Sequence, residues 1–366
     1  MKPFVKWAGG KEKEIRFFEG QFPSVINNYY EPFLGGGSVF FYVNDKYEII
    51  NSYINDFSKE LIELYRLVKI HDENFFLALY EIEKDLVIIK NFCQKDFSKL
   101  IIEKLKNIFE KKNEISNLYF DNINFNFCFN NEFIDKSKFN DISNSIMKSK
   151  LKRLKKIQTK NNDSFLFEPY SFLETVLKSA YYTYIRNLYN SNIKNESFGA
   201  RHIAYFYYLR EYCYSSMFRY NLSGEFNVPY GGMAYNDKYF NHKIEQLESR
   251  ELNKLLLKSK IYNMDFEKFI KTQKFDENDF IFVDPPYDSE FSEYDKNVFS
   301  RDDQTRLAIC LSELKCKVMV VIKNTNFIED LYLKLGFKIQ AFDKKYSVNF
   351  MNRNIRDVEH LIITNY

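Results

Sequence analysis

Four consecutive residues, Asp284-Pro285-Pro286-Tyr287, carry the most specific chemistry in the sequence. They follow residues 279–283 (DFIFV), which read as a buried strand. The carboxylate would then stand at the carboxyl end of a strand, where open α/β sheets bind ligands. An exocyclic amino nitrogen on a purine is a poor nucleophile, because its lone pair is delocalised into the ring. Two acceptors that take its two hydrogens can hold it as it pyramidalises toward an electrophilic methyl group. The Asp284 side chain and the Pro285 carbonyl can supply them. Proline fixes φ and removes a competing N–H, so the carbonyl direction is set. Tyr287 offers a ring on which an extruded base can stack. The alternative is a plain proline turn after a strand.

A second constellation is Glu31-Pro32-Phe33-Leu34-Gly35-Gly36-Gly37-Ser38. Glycines between a strand and a helix let backbone approach a ligand and reach positive φ, and the helix behind them offers free N–H groups. Asp56 follows Gly35 by 21 residues. An acid at that spacing can accept both hydroxyls of a ribose. No G-x-G-x-x-G pattern and no P-loop lysine is present, so a pyrophosphate lacks its usual cradle. A cofactor with a ribose but no phosphate fits better, and S-adenosylmethionine is the candidate; the alternative is a tight turn. Lys6-Trp7-Ala8-Gly9-Gly10-Lys11, taken alone, reads as a packed loop.

These residues need a scaffold. Residues 29–34 and 47–54 read as strands, each followed by a helix, from about Val39 and Ser58. In the last third, strands are expected at 279–283, 318–323, 337–342 and 359–364, with helices near 302–314 and 327–335. The first and last thirds can together supply one sheet of about seven strands, the grammar of a doubly wound α/β fold. Residues 71–200 and 171–214 look largely helical, and 219–232 (RYNLSGEFNVPYGG) read as a β-hairpin. The expected division is a catalytic α/β domain of residues 1–70 plus 235–366, and a helical insert of 71–234. Within it, residues 148–160 hold seven basic residues and no acid, a solvated helix face or a phosphate-contacting element.

The 366 residues carry 53 basic and 50 acidic side chains, a net charge of +3 that neither requires nor excludes a nucleic-acid partner. Their abundant Phe, Tyr, Lys, Asn and Ile fit an AT-rich coding bias as well as any function. The five cysteines have no C-x-x-C spacing, so free thiols in a reducing cytosol and no zinc site are expected. The N-terminus lacks a signal-type apolar stretch, and no run of apolar residues suits a membrane span. A cytoplasmic protein needing no metal follows as the expectation.

KWAGGK (6–11), EPFLGGGSVF (31–40), NDFSKELI (55–62), RYNLSGEFNVPYG (219–231) and DPPY (284–287) occur in the order seen in Dam-type, α-group DNA adenine methyltransferases. The chain resembles that family across residues 6–287, with no match for most of about 90–195. The resemblance implies a Rossmann-like, S-adenosylmethionine-dependent methyltransferase sheet with an inserted, mostly helical target-recognition domain. It implies site-specific transfer of methyl to the N6 of a flipped adenine in double-stranded DNA. Trp7 and Lys11 would line the methionine end of the cofactor, and Phe33, Gly35 and Gly37 its floor, with Glu31 and Ser38 in the same turn. Asp56 would hold the ribose, Asp265 and Phe266 would flank the adenine, and Asp284 would meet both cofactor and target. Asp284, Pro285, Pro286 and Tyr287 would form the catalytic motif. Lys6, Tyr214, Ser215, Met217, Arg219 and Asn221 would contact DNA, with Tyr214 as a wedge and Arg219 reading a guanine. A cognate restriction endonuclease, or an orphan role, and a monomer or weak dimer complete the expectation. Competing readings are an RNA or protein amino-methyltransferase and a catalytically silent DNA-binding protein.

Overall fold

The computed structural model describes residues 1–94, 99–110, 123–125, 127–160, 168–232, 239–286, 299–345 and 357–366. The chain divides into two compact units, Met1–His71 with Gln246–Tyr366, and Asp72–Glu245.

The first unit is built on seven strands: β1 (Asn28–Glu31), β2 (Asn51–Asn55), β3 (Ser259–Tyr262), β4 (Phe280–Val283), β5 (Lys317–Lys323), β6 (Lys338–Lys345) and β7 (Asp357–Thr364). Their order is β3-β2-β1-β4-β5-β7-β6. β7 runs antiparallel to both its neighbours, and the pairings from β3 to β5 are parallel. β4 is buried at all four positions and β5 at its five central ones. That is why they read as continuous apolar runs rather than as alternating ones. On one face Leu307, Ala308, Leu311, Ile328 and Tyr332 pack on Ile281, Val283, Val318, Val320 and Ile322. Phe18 stacks on Phe282, and Phe22 packs at a tilt against Phe280.

Two boundaries differ from the sequence reading. The first strand ends at Glu31 rather than at residue 34, because Pro32 has no N–H for the ladder. The second begins at Asn51 rather than Tyr47. The strand that pattern reading missed is β3, an edge strand whose half-exposed residues show little apolar periodicity.

The chain runs outward from β1 through α2 (Ser38–Lys46) and β2, then α3 (Lys59–Ile70), and returns later to place β4 beside β1. This reversal between β1 and β4 opens a crevice at their carboxyl ends, the usual ligand position in such sheets. Helices at this end begin on capping side chains. Ser58 accepts from Leu61 N–H, Asp265 starts α11 (Phe266–Thr272), Ser300 and Asp303 form a capping box on α12 (Arg301–Ser312), and Thr325 starts α13 (Asn326–Lys334).

The second unit is helical: α4 (Glu73–Gln94), α5 (Lys99–Glu110), α6 (Lys136–Lys160), α7 (Pro169–Lys194) and α8 (Ala200–Tyr212); along the chain α9 (Asn241–Leu247) and, in the first unit, α10 (Arg250–Lys258) follow. Asp85, fully buried on α4, accepts from Asn130 N–H (2.5 Å), Asn131 N–H (3.3 Å) and Tyr181 O–H (3.0 Å). Residues 219–232 turn back through isolated bridges, Tyr220 with Phe226 and Cys213 with Tyr230, rather than through long strands. Asn190 of α7 pairs reciprocally with Phe226 backbone, and Tyr182 donates to the Val228 carbonyl. The five cysteines are free thiols, and no described helix is long and apolar enough to cross a membrane.

Gly37, at the start of α2, has φ +73°, and a Cβ there would lie 2.7 Å from the Tyr65 hydroxyl. Gly37→Ala should therefore cost roughly 1–3 kcal/mol, whereas Gly20→Ala, which meets nothing within 4 Å, should change stability by less than about 0.5 kcal/mol. Chemical denaturation of the two variants side by side checks this.

Candidate active site

The crevice is shaped first by main chain. After β1 the backbone turns through Gly35 (φ +52°) and Gly37 (φ +73°) into α2. Gly35 N–H donates to Asp56 Oδ2 (2.8 Å), and Ser58 N–H donates to Asp56 Oδ1 (2.9 Å). Asp56 thus ties the β1–α2 turn to the β2–α3 turn. One residue earlier, fully buried Asn55 donates to the carbonyls of Pro32 and Met264 and accepts from Met264 N–H. It joins the ends of β1, β2 and β3. Sequence reasoning passed over Asn55; its position at a strand end beside Asp56 was the available signal.

Trp7 covers this turn. A Cβ on Gly35 would lie 3.0 Å from Trp7 Cδ1, and one on Gly36 3.1 Å from Trp7 Cβ. A Cβ on Gly10 would sit 3.4 Å from Ser38 Oγ. Residues 6–11 and 31–38 therefore form one structure, and only glycine permits so close an approach.

Asp284 leaves the carboxyl end of β4 with its side chain about one-fifth exposed, and Lys11 Nζ lies 2.7 Å from its Oδ1. Lys11 Nζ is also 3.8 Å from Glu14 Oε2. Pro285 is buried, and the Pro286 carbonyl accepts from Nε2 of Gln304, itself fully buried on α12. Gln304 braces the turn from a distant helix and had no signature in the sequence. Tyr287 lies outside the described residues.

Glu31 is buried at the foot of the glycine turn and accepts from the Tyr29 hydroxyl (2.7 Å). Burial raises its carboxyl well above the usual range. The Tyr29 hydrogen bond and the Phe40 N–H oppose that, and the charges of Asp284 and Asp56 reinforce it.

On the far side of the crevice, Phe33, Phe266 and Phe299 form a triangle of rings with centroids 5.5–5.6 Å apart. Arg306 lies over Phe266 at 4.6 Å and bridges Asp265, Glu267 and Asp303. Asp265 also caps α11. Phe299 and Arg306 were not legible in the sequence, because only the fold brings α12 to Asp265 and Phe266.

The other expected contact residues are divided between the units. Lys6 is half-buried in the first. In the second, Tyr214 is 40% exposed and begins a short turn in which Ser215 has φ +53°. Met217 is half-buried, Arg219 is exposed, and Asn221 uses its amide on Glu225 main chain and side chain. Arg210, buried below them, stacks on Phe218 at 4.3 Å. Phe218 in turn stacks on Phe226 at 4.2 Å.

The residues present fit a nucleoside bearing a positive charge. Glycine main chain makes room for it, Asp56 faces the turn, rings stand ready for a base, and carboxylates line the crevice. The described residues contain no group of His, Cys, Asp and Glu arranged to hold a metal ion.

Comparison with known proteins gives the same direction. The model of the D12 class N6 adenine-specific DNA methyltransferases matches residues 7–165 and 139–348. The chain is 26% identical over 369 residues to the type II methyltransferase M.CviBI of Paramecium bursaria Chlorella virus NC1A, covering all of both chains. It is 29% identical over 380 residues to the type II methyltransferase M.MjaIII of Methanocaldococcus jannaschii, covering all of this chain and 99% of that one. It is also 33% identical over 156 residues to the retron Ec67 DNA adenine methylase of Escherichia coli, covering 42% of this chain and 51% of that one.

The Glu31 carboxyl makes a pH prediction. Because its folded value is raised, the native state holds this proton more tightly than the unfolded chain does. The stabilisation is complete below the unfolded-state carboxyl range and is lost as pH rises through the folded value. Glu31→Gln stays neutral, so its melting temperature relative to the parent protein should rise between pH 5 and pH 9. A flat difference across that range would contradict the assignment.

Proposed function

On the premise that the chain belongs to the D12 class N6 adenine-specific DNA methyltransferases, we propose that Asp284 is the acceptor that holds the target amino group at the β1–β4 switch point. The protein methylates adenine in DNA. The observation that carries the assignment of the site is the partly open Asp284 carboxylate at the end of β4, beside the glycine turn tied to Asp56.

S-adenosylmethionine, when bound, supplies a methyl group activated by a sulfonium. Gly35, Gly37 and Ser38 would floor its site, with Trp7 beside them and Glu31 beneath. Asp56 would accept from the ribose hydroxyls, and Phe33, Phe266 and Asp265 would flank the adenine, with Phe299 completing the ring triangle. The acidic character of the crevice favours a cation.

The flipped adenine would present its amino group to Asp284 and to the Pro285 carbonyl. Those acceptors draw the two hydrogens aside and direct the nitrogen lone pair toward the methyl carbon. An N–C bond would form as the sulfonium S–CH3 bond breaks, with S-adenosylhomocysteine as the leaving group; the nitrogen must then give up one proton, and the Asp284 carboxylate would hold the departing hydrogen. Tyr287 would stack on the base. Pro286, fixed through Gln304, keeps the turn in place. Flipping costs a few kcal/mol, which wedge and stacking contacts offset.

Target reading falls to Lys6, Tyr214, Ser215, Met217 and Arg219, with Asn221 acting through the turn it closes. Arg219 is exposed on a loop braced from below by Arg210 and Phe218. A guanidinium there can read a guanine through two parallel hydrogen bonds. A role beside a restriction endonuclease of the same site accords with the type II methyltransferases the chain resembles over its whole length.

Asp284→Ala should abolish tritium transfer from S-adenosylmethionine to duplex DNA while leaving duplex binding within about threefold; near-parental turnover would remove Asp284 from the mechanism. Parallel assays with RNA and protein as acceptors should show no transfer. Arg219→Ala should cost about 1–3 kcal/mol of discrimination at one guanine of the site, read by sequencing the methylated positions.

A further inference from the structure

The family resemblance places Lys11 at the cofactor, and its ammonium meets the Asp284 carboxylate there. Lys11 Nζ lies 2.7 Å from Asp284 Oδ1, and the lysine side chain is only 3% exposed. A lysine buried to this degree is held by design of its surroundings, because an ammonium loses its hydration there and must be compensated by a partner.

The backbone of Lys11 is tied to a short helix that packs on the strand leading to its partner. The Lys11 carbonyl accepts from Glu14 N–H (2.8 Å) and Ile15 N–H (3.0 Å), which opens the turn into α1 (Ile15–Phe18). Phe18 of α1 stacks on Phe282 of β4 at 5.6 Å. Asp284 follows Phe282 by two residues. Lys11 leads into the helix that packs on β4, and Asp284 leaves the end of that same strand.

We propose that Lys11 is a positioning residue for Asp284, orienting its carboxylate and keeping it in the accepting form until the amino group of the target adenine takes over the same oxygen. The inference rests on the role given to Asp284 above. An ammonium N–H and an amino N–H are the same kind of donor, so the lysine bond marks the direction in which Oδ1 accepts. A protonated Asp284 would offer a hydrogen where an acceptor is needed.

The groups around this pair explain why a cation is required. Glu14 shares the Lys11 ammonium, and Glu31 lies within electrostatic reach of Asp284 and Asp56, with the Tyr29 and Tyr65 hydroxyls beside it. Burial raises the Glu31 carboxyl, and the negative charges of Asp284 and Asp56 add to that rise. Removing the ammonium would leave Asp284 beside the Glu14 carboxylate with which it now shares that cation, which favours its protonation.

Lys11→Met is the test, with Lys11→Arg as the conservative partner. Lys11→Met should lower kcat about 100-fold, the scale of a misplaced reacting group. It should also move the acid limb of the kcat profile up by about one pH unit. Calorimetric affinity for S-adenosylmethionine should stay within about threefold of the parental protein, which also reports an intact fold. Lys11→Arg should recover at least about a tenth of parental turnover and the parental acid limb. An unshifted limb in an active Lys11→Met protein overturns this inference alone. So does a loss of cofactor affinity matching the loss of turnover, which would return Lys11 to a cofactor-lining role. Absence of methyl transfer by the parental protein overturns the proposed function together with this inference.

Discussion

The hydrogen bond from Gly35 N–H to the Asp56 carboxylate joins the two turns on which the crevice depends. Each turn connects a strand to a helix, and the sheet leaves their strands adjacent. A carboxylate that accepts a main-chain N–H from each of the two turns sets the distance between them. The positive φ of Gly35 and Gly37 lets the chain make that bend, and the lack of a Cβ lets Trp7 close over it. Asn55 repeats the device one residue earlier with uncharged partners. A Cβ at Gly37 would meet the Tyr65 hydroxyl at 2.7 Å, and one at Gly35 or Gly36 would press on Trp7 at 3.0–3.1 Å.

Charge is distributed across the crevice in a way that separates roles. Glu31 is buried, so its charged form is costly and its carboxyl is raised. Asp284 reaches toward solvent and meets the Lys11 ammonium. Asp56 spends main-chain hydrogen bonds on the turn. Three carboxylates near one another would repel if they were alike; differing burial and different partners keep them apart in behaviour. The same logic extends to Asp265, whose oxygens divide between capping α11 and meeting Arg306.

The helical unit rests on a different solution to the same problem. Asp85 is buried and is satisfied by two main-chain N–H groups, the Asn130 amide and a tyrosine hydroxyl. Its raised carboxyl reflects burial only partly offset by those donors. The loop from Tyr214 to Arg219 is held by aromatic stacking on Phe218 and by the buried Arg210, so exposed side chains stand on a rigid base. A rigid base limits the ordering cost of recognition.

Local chemistry in the sequence was enough to mark the glycine turn, Asp56 and Asp284, because each sits at a strand end where short-range pattern and spacing carry the signal. The continuous apolar runs of β4 and β5 were legible for the same reason, while the edge strand β3 was not. The sequence could not say that Lys11 meets Asp284 across 273 positions, that Gln304 braces Pro286, or that Arg306 and Phe299 join Asp265 and Phe266. Those pairings arise when helices return to the sheet from distant parts of the chain, so only the packed tertiary structure decides them. Sequence determined which groups could do chemistry; the fold decided which of them face each other, because burial and contact, unlike residue type, are properties of the folded chain as a whole.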